Sequence, residues 1–195
     1  MNIKKVLIIL FLFNLNYSYA YSIEPDVFVQ SIVNRASQIL SKNISKEDKM
    51  NELKVIAKET VDITGIGFYS LGSHRKGLSK DQLANYKNVF EKYFLKSFSS
   101  RLAEYSNPKI DVNSQEKINE KYTIVSSILV ATNERPEVKI DWRIYTKNPE
   151  KPLIRDLIVE GLSLARTQKE EFASIIESDN QNMNKLFFTL KEFIN

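Results

Sequence analysis

The sequence predicts an α+β fold, in which a four-stranded antiparallel sheet packs against a layer of helices with a hydrophobic pocket between them. Two observations support this prediction. Apolar residues recur at helical spacing up to about residue 105, whereas after Asn107-Pro108 they alternate with polar residues at a period of two. Two further helical patterns then end the chain, so that the predicted order is helices, an antiparallel meander and helices.

Four helices are predicted before the strands. The first opens at Pro25-Asp26, the second is capped by Ser45, and a short third helix covers residues 62–71. The fourth begins at a capping box formed by Ser79 and Gln82 and is the clearest helix of the chain. Its apolar stripe is largely aromatic and comprises Leu83, Tyr86, Phe90, Tyr93, Phe94, Phe98, Leu102 and Tyr105.

Strands are predicted in the part of the sequence with a period of two. They cover residues 109–114, 122–132, 137–146 and 153–161. The third strand alternates most cleanly and places Val138, Ile140, Trp142 and Ile144 on one face. A helix that starts at the capping box 167-TQKE-170 and a helix over residues 183–194 complete the prediction.

Residues 1–20 are predicted to be a secretory signal peptide. Lys4 and Lys5 precede the apolar run 6–13, and Ser18-Tyr19-Ala20 forms a small-x-small cleavage site. The apolar run is too short for a transmembrane helix, which needs about 20 residues. We therefore expect residues 21–195 to form one domain after export across the inner membrane.

Composition excludes several classes of function. The chain has no cysteine, which excludes disulfides and thiolate metal sites. Its single histidine, His74, excludes any multi-histidine metal site, and we expect neither metal nor cofactor. Removing two signal-peptide lysines lowers the formal charge from +4 to +2, which is too weak to predict nucleic-acid binding.

Two acids within the last predicted strand, Asp156 and Glu160, are the strongest candidates for chemistry. Four residues apart on a strand, they would share a face at a separation of roughly 13 Å. A glycosidase pair needs roughly 5 to 9.5 Å, so we expect structural roles such as an ion pair with Arg143 or Arg155. An enzyme that uses Asp156 as an acid or base in an apolar cavity, and an adaptor with a filled core, remain the alternatives.

Two facing apolar layers are the candidate binding surface. In this hypothesis Phe90, Phe94 and Phe98 of the fourth helix form part of the roof of a pocket. The sheet residues assigned to its floor are Val125, Val138, Ile140, Trp142, Ile144, Leu157 and Val159. A filled core would produce the same pattern of residues.

Two ordered sets of motifs carry a resemblance to a known family. The first set is Asp62, Leu71-Gly72, His74-Arg75, Gln82, Phe90 and Tyr105, and the second is 156-DLIVEGLSL-164 with Gln168 and Phe172. In these motifs the chain resembles the MlaC family, also called the toluene-tolerance family, of periplasmic phospholipid-binding proteins. The resemblance covers essentially all of residues 21–195. It departs from the family pattern at His74, where the family usually has tryptophan.

The resemblance implies a periplasmic phospholipid carrier with no enzymatic step. Such a protein holds acyl chains between the sheet and the helices. It shuttles lipid between an outer-membrane lipoprotein complex and an inner-membrane ABC transporter that has an MCE-domain subunit. The implied role is to maintain the lipid asymmetry of the outer membrane.

Overall fold

A computed structural model describes residues 22–133 and 135–195, and the predicted signal peptide lies outside these described residues. The chain forms helices on an antiparallel sheet, which confirms the predicted α+β class. The helices are α1 (Pro25–Ser41), α2 (Lys46–Thr60), α3 (Ile63–Leu71), α4 (Lys80–Leu102), α5 (Leu164–Glu177) and α6 (Met183–Ile194), with a 3₁₀ helix at Gly72–Gly77. The strands are β1 (Ile110–Asn119), β2 (Tyr122–Leu129), β3 (Val138–Tyr145), β4 (Leu153–Val159) and β5 (Leu162–Ser163).

Side-chain caps fix where the helices begin. Ser45 accepts a hydrogen bond from the backbone N–H of Asp48 at the start of α2. At the start of α4, Ser79 and Gln82 form both hydrogen bonds of the predicted capping box, at 3.2 and 2.9 Å. These bonds satisfy N–H groups that have no partner within the helix itself.

Two helix boundaries differ from the prediction. Helix α5 begins at Leu164 and not after Thr167, because the Ser163 hydroxyl accepts a hydrogen bond from Arg166 N–H. The Thr167 hydroxyl instead donates to the Ser163 carbonyl within the first turn. Helix α4 ends at Leu102, so Tyr105 lies beyond the helix and not on its apolar stripe.

The sheet contains five strands and not the predicted four, in the order β1-β2-β3-β4-β5. The additional strand, β5, pairs with Ile158 and Val159 after a tight turn. Glu160 and Gly161 form this turn at φ values of 48° and 82°, so the prediction that Glu160 lies in a strand is wrong. Strand β1 extends to Asn119, beyond the predicted residue 114, because its polar second half has no apolar alternation to reveal it.

The register aligns the apolar residues of three strands. Val125 pairs with Trp142, and Trp142 pairs with Leu157 on its other side. Between β3 and β4 the register shifts by one residue, because Arg143 pairs with Asp156 whereas Ile144 pairs with Ile154. Arg155 is the extra residue of this bulge, which keeps Ile154 on the same face as Leu157.

The helices pack on this apolar face and form one core with it. Helix α3 is tied to the sheet at the start of β4, where Asp62 N–H donates to the Ile154 carbonyl at 2.9 Å. The Arg155 guanidinium reinforces this contact through an ion pair with the Asp62 carboxylate. Among the described residues, no helix combines the length and the apolar character needed to cross a bilayer.

Candidate functional site

The seven sheet residues that the sequence singles out lie on one face, and they differ in burial. Val125 and Ile144 are fully buried and Trp142 is nearly so. The partly exposed members all lie on β3 and β4: Val138, Ile140, Leu157 and Val159. The apolar face is therefore least covered on β3 and β4, whereas on β2 it is buried as far as Leu129.

The predicted roof residues on helix α4 also differ in burial. Phe90 is 2 % exposed, whereas Phe94 and Phe98 are partly exposed and pack against the same apolar core as the sheet residues. The ring centroids of Phe90 and Phe94 are 6.1 Å apart, and those of Phe94 and Phe98 are 5.7 Å apart in nearly parallel planes. The three predicted roof residues thus form a continuous row of rings along the helix.

The buried ends of the two layers meet at α3. The Tyr86 hydroxyl donates to the Gly67 carbonyl at 3.0 Å, and burial raises the pKa of this phenol above its usual range. Glycine at position 67 lets α3 approach α4 closely, because a Cβ there would lie 2.6 Å from Phe90 Cδ1. This close packing closes one end of the space between the layers.

The partly exposed ends of the two layers meet at the loop between β2 and β3. Tyr105 follows α4 and is held to its last turn by a hydrogen bond to the Leu102 carbonyl. The guanidinium of Arg135, in the β2–β3 loop, lies 5.1 Å from the centroid of the Tyr105 ring. Since Val138 follows this loop, the accessible ends of helix and sheet lie at the same end of the molecule. We call the space between α4 and this part of the sheet the wedge, with its buried side at α3 and its partly exposed side toward Arg135.

The wall of this wedge contains one buried polar pair. The Trp142 indole N–H donates to the Ser127 hydroxyl at 2.8 Å, and Ser127 donates in turn to the Ile140 carbonyl at 3.1 Å. Because both polar side chains are satisfied, the sheet face can stay apolar toward the wedge. Sequence reasoning identified Trp142 but missed Ser127, whose place in the alternation between Val125 and Leu129 was the available signal.

Asp156 occupies a structural position on the opposite face of the sheet. Its buried carboxylate accepts hydrogen bonds from the Ser163 hydroxyl at 2.6 Å and from Ala165 N–H at 3.0 Å. Arg143 is more distant, at 3.9 Å, and Arg155 pairs with Asp62 and not with Asp156. Glu160 accepts from Lys139 N–H in the turn. Asp156 thus joins β4 to the start of α5, and the two acids form no joint site.

A cavity of ≈ 470 Å³ lies on this opposite face and not between the predicted roof and floor. Its walls mix isoleucines with charged residues, and most of those charges have partners. Asp141, for example, accepts from the Ser126 hydroxyl at 2.7 Å. In the described part of the chain, no group of three or more potential ligands among His, Cys, Asp and Glu is placed to hold a metal ion.

Comparison with protein families identifies the chain. The profile of the MlaC protein family matches residues 30–192, most of the described chain. The chain belongs to the MlaC family. Two acids of the family motifs have structural roles in this chain. Asp62 caps α3 by accepting from Gly65 N–H, and Asp156 joins β4 to α5.

A solved structure of a phospholipid-binding protein has the same fold. A phospholipid-binding protein from Ralstonia solanacearum, solved in complex with a phospholipid, superposes with a TM-score of 0.72. The two sequences are 17 % identical, and the match covers 88 % of this chain and 97 % of the other. Comparison with curated protein sequences gives no match.

Proposed function

We propose that this protein is a periplasmic phospholipid carrier that holds acyl chains between α4 and the inner face of the sheet. The observation that carries the proposal is the wedge, whose apolar residues are buried beside α3 and partly exposed at Phe94, Phe98 and Ile140. Family membership and the fold shared with a phospholipid-binding protein support the same conclusion. The ten residues predicted from the sequence are the proposed lining.

The energetics of lipid transfer explain why such a wall must be apolar. About thirty methylenes of two acyl chains cost roughly 24 kcal/mol to expose to water, at about 0.8 kcal/mol each. A carrier lowers this cost by covering the chains with aromatic and aliphatic side chains. Phe94, Phe98 and Ile140 are already partly exposed, and the first part of a chain would enter beside them. Further entry requires the helical layer and the sheet to move apart.

The proposed place of this carrier is between two membranes. It would receive lipid from, or deliver it to, an outer-membrane lipoprotein complex and an inner-membrane ABC transporter with an MCE-domain subunit. By removing misplaced phospholipid it would maintain the asymmetry of the outer membrane. Residues 1–20, as a signal peptide, would provide the export that this location requires.

A binding role fits the described residues better than an enzymatic one. Asp156, the candidate acid or base, is engaged by Ser163 and Ala165 and lies on the face away from the wedge. An adaptor with a permanently filled core is the remaining alternative. It predicts that the partly exposed apolar residues contact no ligand.

Lipid analysis of the purified protein tests the proposal. The protein is isolated from the periplasm under native conditions and analysed by native mass spectrometry, then extracted with organic solvent for lipid identification. We expect phospholipid in stoichiometric amounts. A preparation that carries no lipid, and takes up none from phospholipid vesicles, would favour the adaptor and contradict the proposal.

A further inference from the structure

The β2–β3 loop presents a cationic side chain with an unused hydrogen-bond donor. Arg135 Nε is buried, and it is the only buried side-chain nitrogen or oxygen in the described residues that has no hydrogen-bond partner. Its Nη2 makes only a long contact, 3.5 Å, with the Val130 carbonyl. A buried N–H without an acceptor is costly, so an unsatisfied donor on a charged group calls for an explanation.

Local contacts hold this guanidinium in place. The backbones of Thr132 and Arg135 exchange two hydrogen bonds, at 2.8 and 3.3 Å, which form a tight turn. The guanidinium carbon lies 5.1 Å from the centroid of the Tyr105 ring, a cation–π contact. A cation–π contact uses the charge of the guanidinium and none of its N–H groups, which can still donate to a planar or tetrahedral anion. The arginine is therefore positioned before any ligand arrives.

The position of Arg135 determines which ligand this donor meets. It links the segment after α4 to the loop that leads into β3, and so lies on the partly exposed side of the wedge. If acyl chains occupy the wedge, the polar head of the lipid must remain on that side. The phosphodiester is the anionic group common to phospholipid heads, and guanidinium binds phosphate through two parallel N–H···O bonds.

We propose that Arg135, supported by Tyr105, binds the phosphate of the lipid head and so selects phospholipids over uncharged lipids with the same chains. This inference rests on the proposed carrier function. It adds a residue that determines specificity at the mouth of the wedge, whereas the apolar lining alone would accept any lipid of suitable length.

The test compares two lipids that differ in the phosphate group. Purified, delipidated protein is offered equal amounts of dioleoyl phosphatidylglycerol and dioleoylglycerol, and the ratio of the two bound lipids is measured by native mass spectrometry. We expect wild type to prefer the phospholipid and Arg135→Gln to lower the ratio about tenfold, since a hydrogen bond to a charged group is lost. Arg166→Gln, a change of an exposed arginine on α5, is the matched control and should leave the ratio unchanged.

The variants separate this inference from the proposed function. If wild type binds neither lipid, the carrier function itself is contradicted. If Arg135→Gln binds both lipids at the wild-type ratio, the carrier stands and the role of Arg135 is wrong. If Arg135→Gln does not fold, Arg135→Lys replaces it in the test. Lysine keeps the charge but lacks the planar fork of N–H donors. We expect this lysine variant to lose several-fold in the same ratio, and an unchanged ratio would overturn the inference.

Discussion

The Tyr86 hydroxyl donates to the carbonyl of Gly67, and this bond fixes α4 against α3 on the buried side of the wedge. Phe90, one turn further along α4, lies directly over the same glycine. Tyr86 is fully buried, so its hydroxyl has no competing water. The fit at this contact decides how firmly the two layers are held together, and two predictions follow from it.

Replacing Gly67 with alanine should destabilise the protein. Alanine favours a helix more than glycine does, by roughly 0.5–1 kcal/mol, but its Cβ would lie 2.6 Å from a ring atom of buried Phe90. We expect a net loss of about 1–3 kcal/mol in the free energy of unfolding, measured by urea denaturation. Gly77→Ala is the control, because no atom lies within 4 Å of a Cβ there. Equal stability of the two variants would contradict the packing argument.

Tyr86 should make the stability of the protein decrease at alkaline pH. Burial keeps the phenol protonated in the folded state, whereas in the unfolded chain it ionises near its usual pKa of 10.0. Its contribution is therefore complete below pH 10 and is lost as pH rises above it, by up to about 1.4 kcal/mol per pH unit. Urea unfolding from about pH 9 to 11 should show a shallower decline for Tyr86→Phe than for wild type. Parallel declines would show that Tyr86 ionises equally in both states.

A carboxylate on the inner sheet face should abolish lipid retention. Ile140→Glu places a charge in the partly exposed wall of the wedge, where contact with acyl chains would be unfavourable. We expect phospholipid occupancy to fall at least about tenfold, measured by mass spectrometry of the purified protein. Ile124→Glu is matched to it, because Ile124 is also partly buried but lies on the opposite face of the sheet. If Ile140→Glu retains lipid as well as Ile124→Glu does, position 140 does not line the site.

Loss of the Asp156 carboxylate should affect folding and not lipid recognition. Asp156→Ala leaves the Ser163 hydroxyl and Ala165 N–H without their acceptor, which we expect to cost about 2–3 kcal/mol. Asp111→Ala removes an exposed acid of β1 and should change stability by less than about 0.5 kcal/mol. Folded Asp156→Ala protein should bind as much lipid per molecule as wild type. A stable variant that has lost lipid would instead assign Asp156 to the site.

Regular periodicity made most of the fold predictable. Alternation in β3 placed Val138 and Ile144 on one face, and the pairing of Ser79 with Gln82 located the start of α4. The errors occurred where local polar contacts override periodicity. Ser163 caps α5 in place of Thr167, and Glu160 takes a left-handed conformation to form the turn that creates β5.

The candidate site was predictable in its apolar part only. Phe94 and Trp142 could be identified because large apolar residues at regular spacing must face an interior. Arg135 could not, because its significance depends on its contact with Tyr105, which lies thirty residues earlier in the sequence. Nothing in the spacing of these two residues predicts that they meet, since the contact arises from how the helical layer ends against the β2–β3 loop.

The bulge at Arg155 has a consequence for how this strand tolerates insertions and deletions. In a regularly paired strand such as β3, removing one residue would turn every following side chain to the other face. In β4 the extra residue is already accommodated, so deleting Arg155 would leave Ile154 and Leu157 facing inward with regular pairing. The chain would lose the ion pair with Asp62 but keep its apolar wall. Alignments of related chains should therefore permit a one-residue gap here, where a gap in β3 would signal a misalignment.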